Sequence, residues 1–277
     1  MYTLVIVAIG TMLVGAVAGG MGVFAVLRRQ SLLGDAISHA ALPGIALMFW
    51  LGNATNPFIL LLGGGIAGCI GAFVVTLVAR VTPLKKDALL GIILSVFFGF
   101  GIVIKTMIQK QGLAHQAVLG KFFFGNASTL LPTDILVISL VVGIVFCLLI
   151  CFWKEFVLIS FDAEFAQTVG YPVSFLDVFL TIMTVVAIVI GLHAVGVLLM
   201  SALLIAPAAA ARQWCNGIRT MFWLAVIFGA AAGCVGALIS SSIQHLPTGP
   251  TIVVCLSVIV LVSLLFSPKR VVGRGEL

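Results

Sequence analysis

Apolar residues run along this chain in long blocks instead of alternating with polar ones. The blocks fall at about residues 3–27, 32–51, 57–79, 88–108, 133–153, 174–192, 194–211, 220–243 and 251–267. Most approach the ~20 residues that a helix needs to cross a bilayer. The pattern therefore predicts an all-α integral membrane protein, a polytopic helical bundle of eight or nine transmembrane helices, with residues 1–277 forming one transmembrane domain. The count turns on the two blocks around His193. Little separates them, Gly191 and Gly196 flank the junction, and a count of eight makes one of them broken or re-entrant.

Two connections are long enough to hold structure of their own. Residues 109–132 contain His115 and the run GKFFFGNASTLLPTD, which is too apolar for a plain loop and predicts a short packed or interfacial helix. Asn126 opens an N-x-S tripeptide there, a weak signal. Residues 154–173 carry two acids in a helical pattern. Asp162 suits an N-cap, Gly170 followed by Pro172 suits a stop, and Phe165, Ala166 and Val169 share an apolar stripe. A short amphipathic helix follows. The pattern fits equally a helix that merely joins two spans and one that docks a cytoplasmic protein.

Composition agrees with the blocks. Hydrophobic residues make up 62% and charged residues 8% of the chain, and mean hydropathy is +1.34, where soluble domains carry about 25% charge. The net charge of +6 suggests an anionic partner until the positions are considered. Arg28, Arg29, Arg80, Lys85, Lys86, Lys154, Arg212, Arg219, Lys269, Arg270 and Arg274 all fall on one side of a nine-span topology. Lys105, Lys110 and Lys121 are the exceptions. Basic residues gathered on one side report orientation, so they do not argue for nucleic acid. They put the amino terminus outside and the carboxyl terminus inside. The first 27 residues lack a basic leader and read as a retained span. None of the six cysteines forms a CxxC pair, which speaks against a disulfide or zinc framework. Glycines cluster at Gly63, Gly64, Gly65, Gly68 and Gly71 and recur at Gly229, Gly233 and Gly236, a spacing that lets membrane helices approach closely.

The candidate chemistry lies in the second block. Asp35 and His39 are four residues apart, on one face of a helix. Ionisable groups at membrane depth face a bundle interior or a water-filled path. One reading is a structural pair that fixes packing. The other is a cation path, because a hard oxygen beside a borderline nitrogen suits manganese, iron or zinc better than calcium or sodium. Ser38 adds an oxygen on the neighbouring face. Pro43 and Gly44 weaken the helix one turn later and free backbone carbonyls. His193 falls at the outer end of its span, as an interfacial histidine or a low-weight metal contact. His115 and His245 fall in outer connections. Asp177, near the inner face, is expected to pair with a basic residue, and Pro207 to kink its span. The chain has no GxxxxGK[ST] loop, no HExxH and no Ser-His-Asp arrangement, so it is not expected to be an enzyme or to bind ATP by a P-loop.

Three stretches carry a family resemblance across essentially the whole chain: SLLGDAISHAALPGIAL at 31–47, SFDAEFAQTVGYP at 160–172, and VGVLLMSALLIAPAAAARQ at 195–213 with LPTGPTIVV at 246–254 close behind. Together they resemble the permease subunits of bacterial manganese-, zinc- and iron-importing ATP-binding cassette transporters. The resemblance implies two permease chains, alike or related, in the cytoplasmic membrane. It implies a pair of cytoplasmic ATP-binding subunits that hydrolyse ATP, and an extracytoplasmic metal-binding protein. It implies that Asp35 and His39 line the translocation path and meet the metal as substrate, with no permanently bound cofactor. It makes about 160–172 a coupling helix, with Asp162, Glu164, Phe165, Ala166 and Gly170 in the ATPase-docking segment. Family permeases of this kind have about eight spans. The competing readings are a permease for a metal chelate or cobalamin-type cargo, and a secondary metal carrier that needs no ATPase and hence no docking helix.

Overall fold

A computed structural model describes residues 2–52, 56–109, 125, 130–243 and 246–267. His115, His245, Asn126, Lys110, Lys121, Lys269, Arg270 and Arg274 lie outside the described residues, as does most of the 109–132 connection. Among the described residues there is no strand. Nine long helices are present: α1 (Tyr2–Leu27), α2 (Leu33–Gly52), α3 (Pro57–Val81), α4 (Lys86–Gln109), α5 (Pro132–Cys151), α8 (Val173–Ala194), α9 (Val197–Trp214), α10 (Ile218–Ser242) and α11 (Thr248–Phe266). Two short helices, α6 (Trp153–Phe161) and α7 (Ala163–Thr168), separate α5 from α8. In hydrocarbon every backbone polar group must be satisfied within the segment, and an unbroken helix does this.

The helix ends follow local chemistry. Asn56 caps α3, its Oδ1 accepting from the Phe58 N–H at 3.0 Å, with Pro57 as the first helical residue. The amide of Arg29, at φ 54°, donates to the Val26 carbonyl and that of Gln30 to the Ala25 carbonyl, which closes α1 in a left-handed C-terminal turn. Gly196, at φ 90°, makes the tight turn between α8 and α9. The junction at His193 is thus a clean break between two helices.

Among the described residues, seven helices are long and apolar enough to cross a membrane: α1, α3, α4, α5, α8, α10 and α11. The expected eight or nine spans are not reached by that measure. The two long helices outside that set are α2 and α9, and Asp35, His39 and Pro43 dilute the hydropathy of α2. Both are wrapped by the others. Ala36, Ile37, Ala40, Ala41, Leu42 and Ile45 of α2 are buried, as are Met200, Leu203, Leu204, Ala208 and Ala211 of α9. Helices shielded by protein need less hydropathy than helices facing lipid. By contrast α4 turns Ile92, Val96, Phe100, Val103 and Met107 outward along one face.

α1 and α10 form the tightest seam. Thr11, Gly15 and Gly19 of α1 face Gly233, Gly229 and Ala225 of α10, and a Cβ added at Gly15 or Gly229 would overlap the other glycine's carbonyl oxygen. The Thr11 hydroxyl also contacts the Gly233 carbonyl, at 2.9 Å. Gly44 and Gly63 make the same reciprocal approach between α2 and α3. Gly44 therefore serves packing, and α2 stays helical through Pro43 and Gly44.

Candidate functional site

The bundle has a basic end, where α1, α3, α5, α9 and α11 finish. There Arg28 forms an ion pair with Asp177 in the first turns of α8, as expected for Asp177. Burial pulls the Arg28 guanidinium down to about 10, so it stays charged at neutral pH. The pair borders a cavity of about 460 Å³ between α1, α3, α6 and α8, lined also by Gln30, Thr76, Ser160 and Thr181.

Asp35 and His39 meet as the spacing predicts. His39 Nε2 lies 3.4 Å from Asp35 Oδ1, and the imidazole packs edge-on against Phe98 of α4, ring centroids 4.7 Å apart. His39 is 8% exposed, while the Asp35 side chain keeps 36% of its surface open. Two polar atoms at this place have no hydrogen-bond partner: His39 Nδ1 and Ser38 Oγ, both buried. A buried unmade hydrogen bond costs about 1–3 kcal/mol, so such atoms call for a ligand or a conformational role. Pro43 adds a third feature. Lacking an N–H, it leaves the His39 carbonyl without its helical donor. Nitrogen, carboxylate, hydroxyl and carbonyl donors thus gather within two turns. Among the described residues no three His, Cys, Asp or Glu side chains converge.

His193 is elsewhere, at the opposite end of the bundle. Its Nε2 lies 3.5 Å from Asp134 Oδ2 in the first turn of α5. That carboxylate also accepts from the Leu131 N–H at 2.9 Å, and both residues line a pocket of about 270 Å³ with Asn56 and Thr133. Asp134 was not among the predicted site residues. Its position beside Pro132 at a span start was the available signal.

The 154–173 connection folds as two helices, so the segment expected at 160–172 contracts to α7. Asp162 is the N-cap, its Oδ1 accepting from the Phe165 N–H at 2.9 Å. The helix closes with the Tyr171 N–H on the Ala166 carbonyl and the Gly170 N–H on the Gln167 carbonyl, Gly170 standing at φ 94°. The predicted apolar stripe is split. Ala166 is fully buried, whereas Phe165 and Val169, four residues apart, are each 54% exposed, and Phe161 and Tyr171 are exposed beside them. Glu164 is exposed as well. Large apolar side chains grouped beyond the span ends mark a contact surface.

Fold and site together define a multi-pass helical membrane protein with a polar pair in an interior helix and a short helix with exposed apolar side chains at its basic end. The chain belongs to the ABC 3 transport family, which matches residues 1–267. It is 45% identical over 269 residues to a zinc transport system membrane protein, TroC, of Treponema pallidum, covering 97% of this chain and 90% of that one. It is 44% identical over 262 residues to a manganese transport system membrane protein, MntC, of Bacillus subtilis, covering 94% of this chain and 60% of that one. Among solved structures, PsaBC from Streptococcus pneumoniae in complex with Fab superposes with a TM-score of 0.84 at 32% identity, covering 97% of this chain and 93% of that one.

Proposed function

We propose that this chain is the permease subunit of an ATP-binding cassette importer that moves a divalent transition metal, manganese, zinc or iron, inward across a bacterial cytoplasmic membrane. The observation that carries this reading is the Asp35–His39 pair with its unpartnered buried Nδ1, set in a chain that matches the family from end to end. The relatives' names support the cargo class.

In this reading α2 and α9 also cross the membrane, giving nine spans with the amino terminus outside. A second permease chain, the same or related, completes the ligand set that one chain leaves short. An extracytoplasmic binding protein delivers the metal. His193 and Asp134 lie near the outer mouth, Asp35 and His39 deeper on the path. A pair of ATP-binding subunits seats on α7, with Asp162 and Gly170 setting the helix ends, Ala166 anchoring it to the bundle, and Glu164, Phe165 and Val169 presented outward. ATP-driven closure of those subunits shifts α7, and the spans pivot between outward- and inward-open states. Weak, incomplete ligation lets the ion leave, which a closed four-ligand cage would not.

The test is ATP-dependent uptake of manganese, zinc and iron by the chain reconstituted with its ATP-binding subunits, set against Asp35→Asn and His39→Gln. Both variants are expected to assemble and to lose uptake. Wild-type-like uptake by both would falsify the assignment of the path.

A further inference from the structure

A second cavity at the basic end is lined by neither Asp35 nor His39. It measures about 460 Å³ and opens between α5, α6 and the start of α10. Its floor is Phe222, which is 2% exposed and meets the Trp153 ring edge-on at 5.0 Å. Trp223, more than half exposed, forms one wall. Lys154 and Arg219 line it, both exposed, and among the described residues neither has an ion-pair partner. Glu155 lines it too, with its Oε2 buried and lacking a hydrogen-bond partner.

Tryptophans and basic side chains at the ends of apolar helices mark the depth of lipid headgroups. Basic pockets between spans bind headgroup phosphates. A plain anion would satisfy Lys154 and Arg219 but would be repelled by Glu155. The Glu155 carboxylate lining the cavity calls for a cationic donor, so the ligand that fits carries a phosphate and an N–H-bearing cation a few bonds apart. An aminophospholipid has both.

We propose that this cavity is a binding site for phosphatidylethanolamine. The phosphate accepts hydrogen bonds from Lys154 Nζ and the Arg219 guanidinium. The primary ammonium donates to the Glu155 carboxylate. An acyl chain runs along the exposed faces of Ile150 and Trp223. Phosphatidylcholine has the same phosphate but a quaternary ammonium with no N–H, and phosphatidylglycerol has no cation.

The experiment is native mass spectrometry of the purified full chain with equimolar phosphatidylethanolamine, phosphatidylcholine and phosphatidylglycerol. The wild-type chain is expected to retain phosphatidylethanolamine over both competitors. Lys154→Gln and Arg219→Gln should each lower its retention by about fivefold, while Lys85→Gln, an exposed basic residue outside the cavity, should leave it unchanged. Glu155→Gln should abolish the preference over phosphatidylcholine. Equal retention of the three lipids by the wild type, a preference for phosphatidylglycerol, or an unchanged preference in Glu155→Gln overturns the proposal. Water-soluble glycerophosphoethanolamine is expected not to be retained, and retention equal to the lipid's would overturn the membrane source.

Discussion

Arg28 and Asp177 tie the end of α1 to the start of α8 through a largely enclosed ion pair. The contact spans 149 residues of sequence, and it joins the turn leading into α2 with the helix that follows α7.

Removing one partner leaves the other charge buried and uncompensated, a loss on the order of 2–4 kcal/mol. Arg28→Ala and Asp177→Ala are each expected to lower the thermal unfolding midpoint in detergent. The double variant should lose less than the two single losses added together. Additive losses in that cycle would show that the two side chains do not interact.

The glycines divide sharply by what surrounds them. A side chain at Gly15 or Gly229 meets backbone, which cannot give way. Gly15→Leu and Gly229→Leu should abolish recovery of folded protein. Gly65 and Gly143 have nothing within 4 Å of an added Cβ, and Gly65→Ala and Gly143→Ala should fold at wild-type yield. Size-exclusion recovery after purification reads both outcomes.

Phe165 and Val169 stand out of the bundle while Ala166 anchors the helix beneath them. Phe165→Ala and Val169→Ala together should weaken capture of the ATP-binding subunits by about tenfold or more and leave the unfolding midpoint of the isolated chain unchanged. Pull-down with the partner subunits measures the first and a melting curve the second.

The ends of α7 are held by two devices of known worth. Asp162→Ala removes a cap, at about 1 kcal/mol, and Gly170→Ala forces a side chain into left-handed backbone at about 1 kcal/mol. Hydrogen exchange at Phe165 and Tyr171 amides should quicken about fivefold in the respective variants, with exchange in α8 unaffected.

The nine long helices were legible in the sequence, because each falls on a long, mostly apolar block and lipid permits little else. The Asp35–His39 pair was legible for the same local reason, four-residue spacing on one helix, and so were the Asp162 cap and the Gly170 stop. What the sequence hid was long-range or rotational. The partner of His193 is Asp134, 59 positions earlier and on a different helix. The break at Phe152, which makes α6 a separate element, has no glycine or proline to announce it. The stripe of Phe165, Ala166 and Val169 divided because a single turn of helix points adjacent residues in different directions. Gly44 looked like a weak point beside Pro43, and only the facing Gly63 reveals it as a contact.

The seam between α1 and α10 also limits how this molecule can change shape. The carbonyls of Gly15 and Gly229 each sit in a notch that only a hydrogen atom leaves open on the other helix. A screw shift of α1 by one residue, ~1.5 Å along its axis, would bring Val14 or Ala16 to the notch and jam it. The two helices are therefore keyed like a tooth in a rack and carry load as one beam, so any rocking of the bundle pivots around them, never through them.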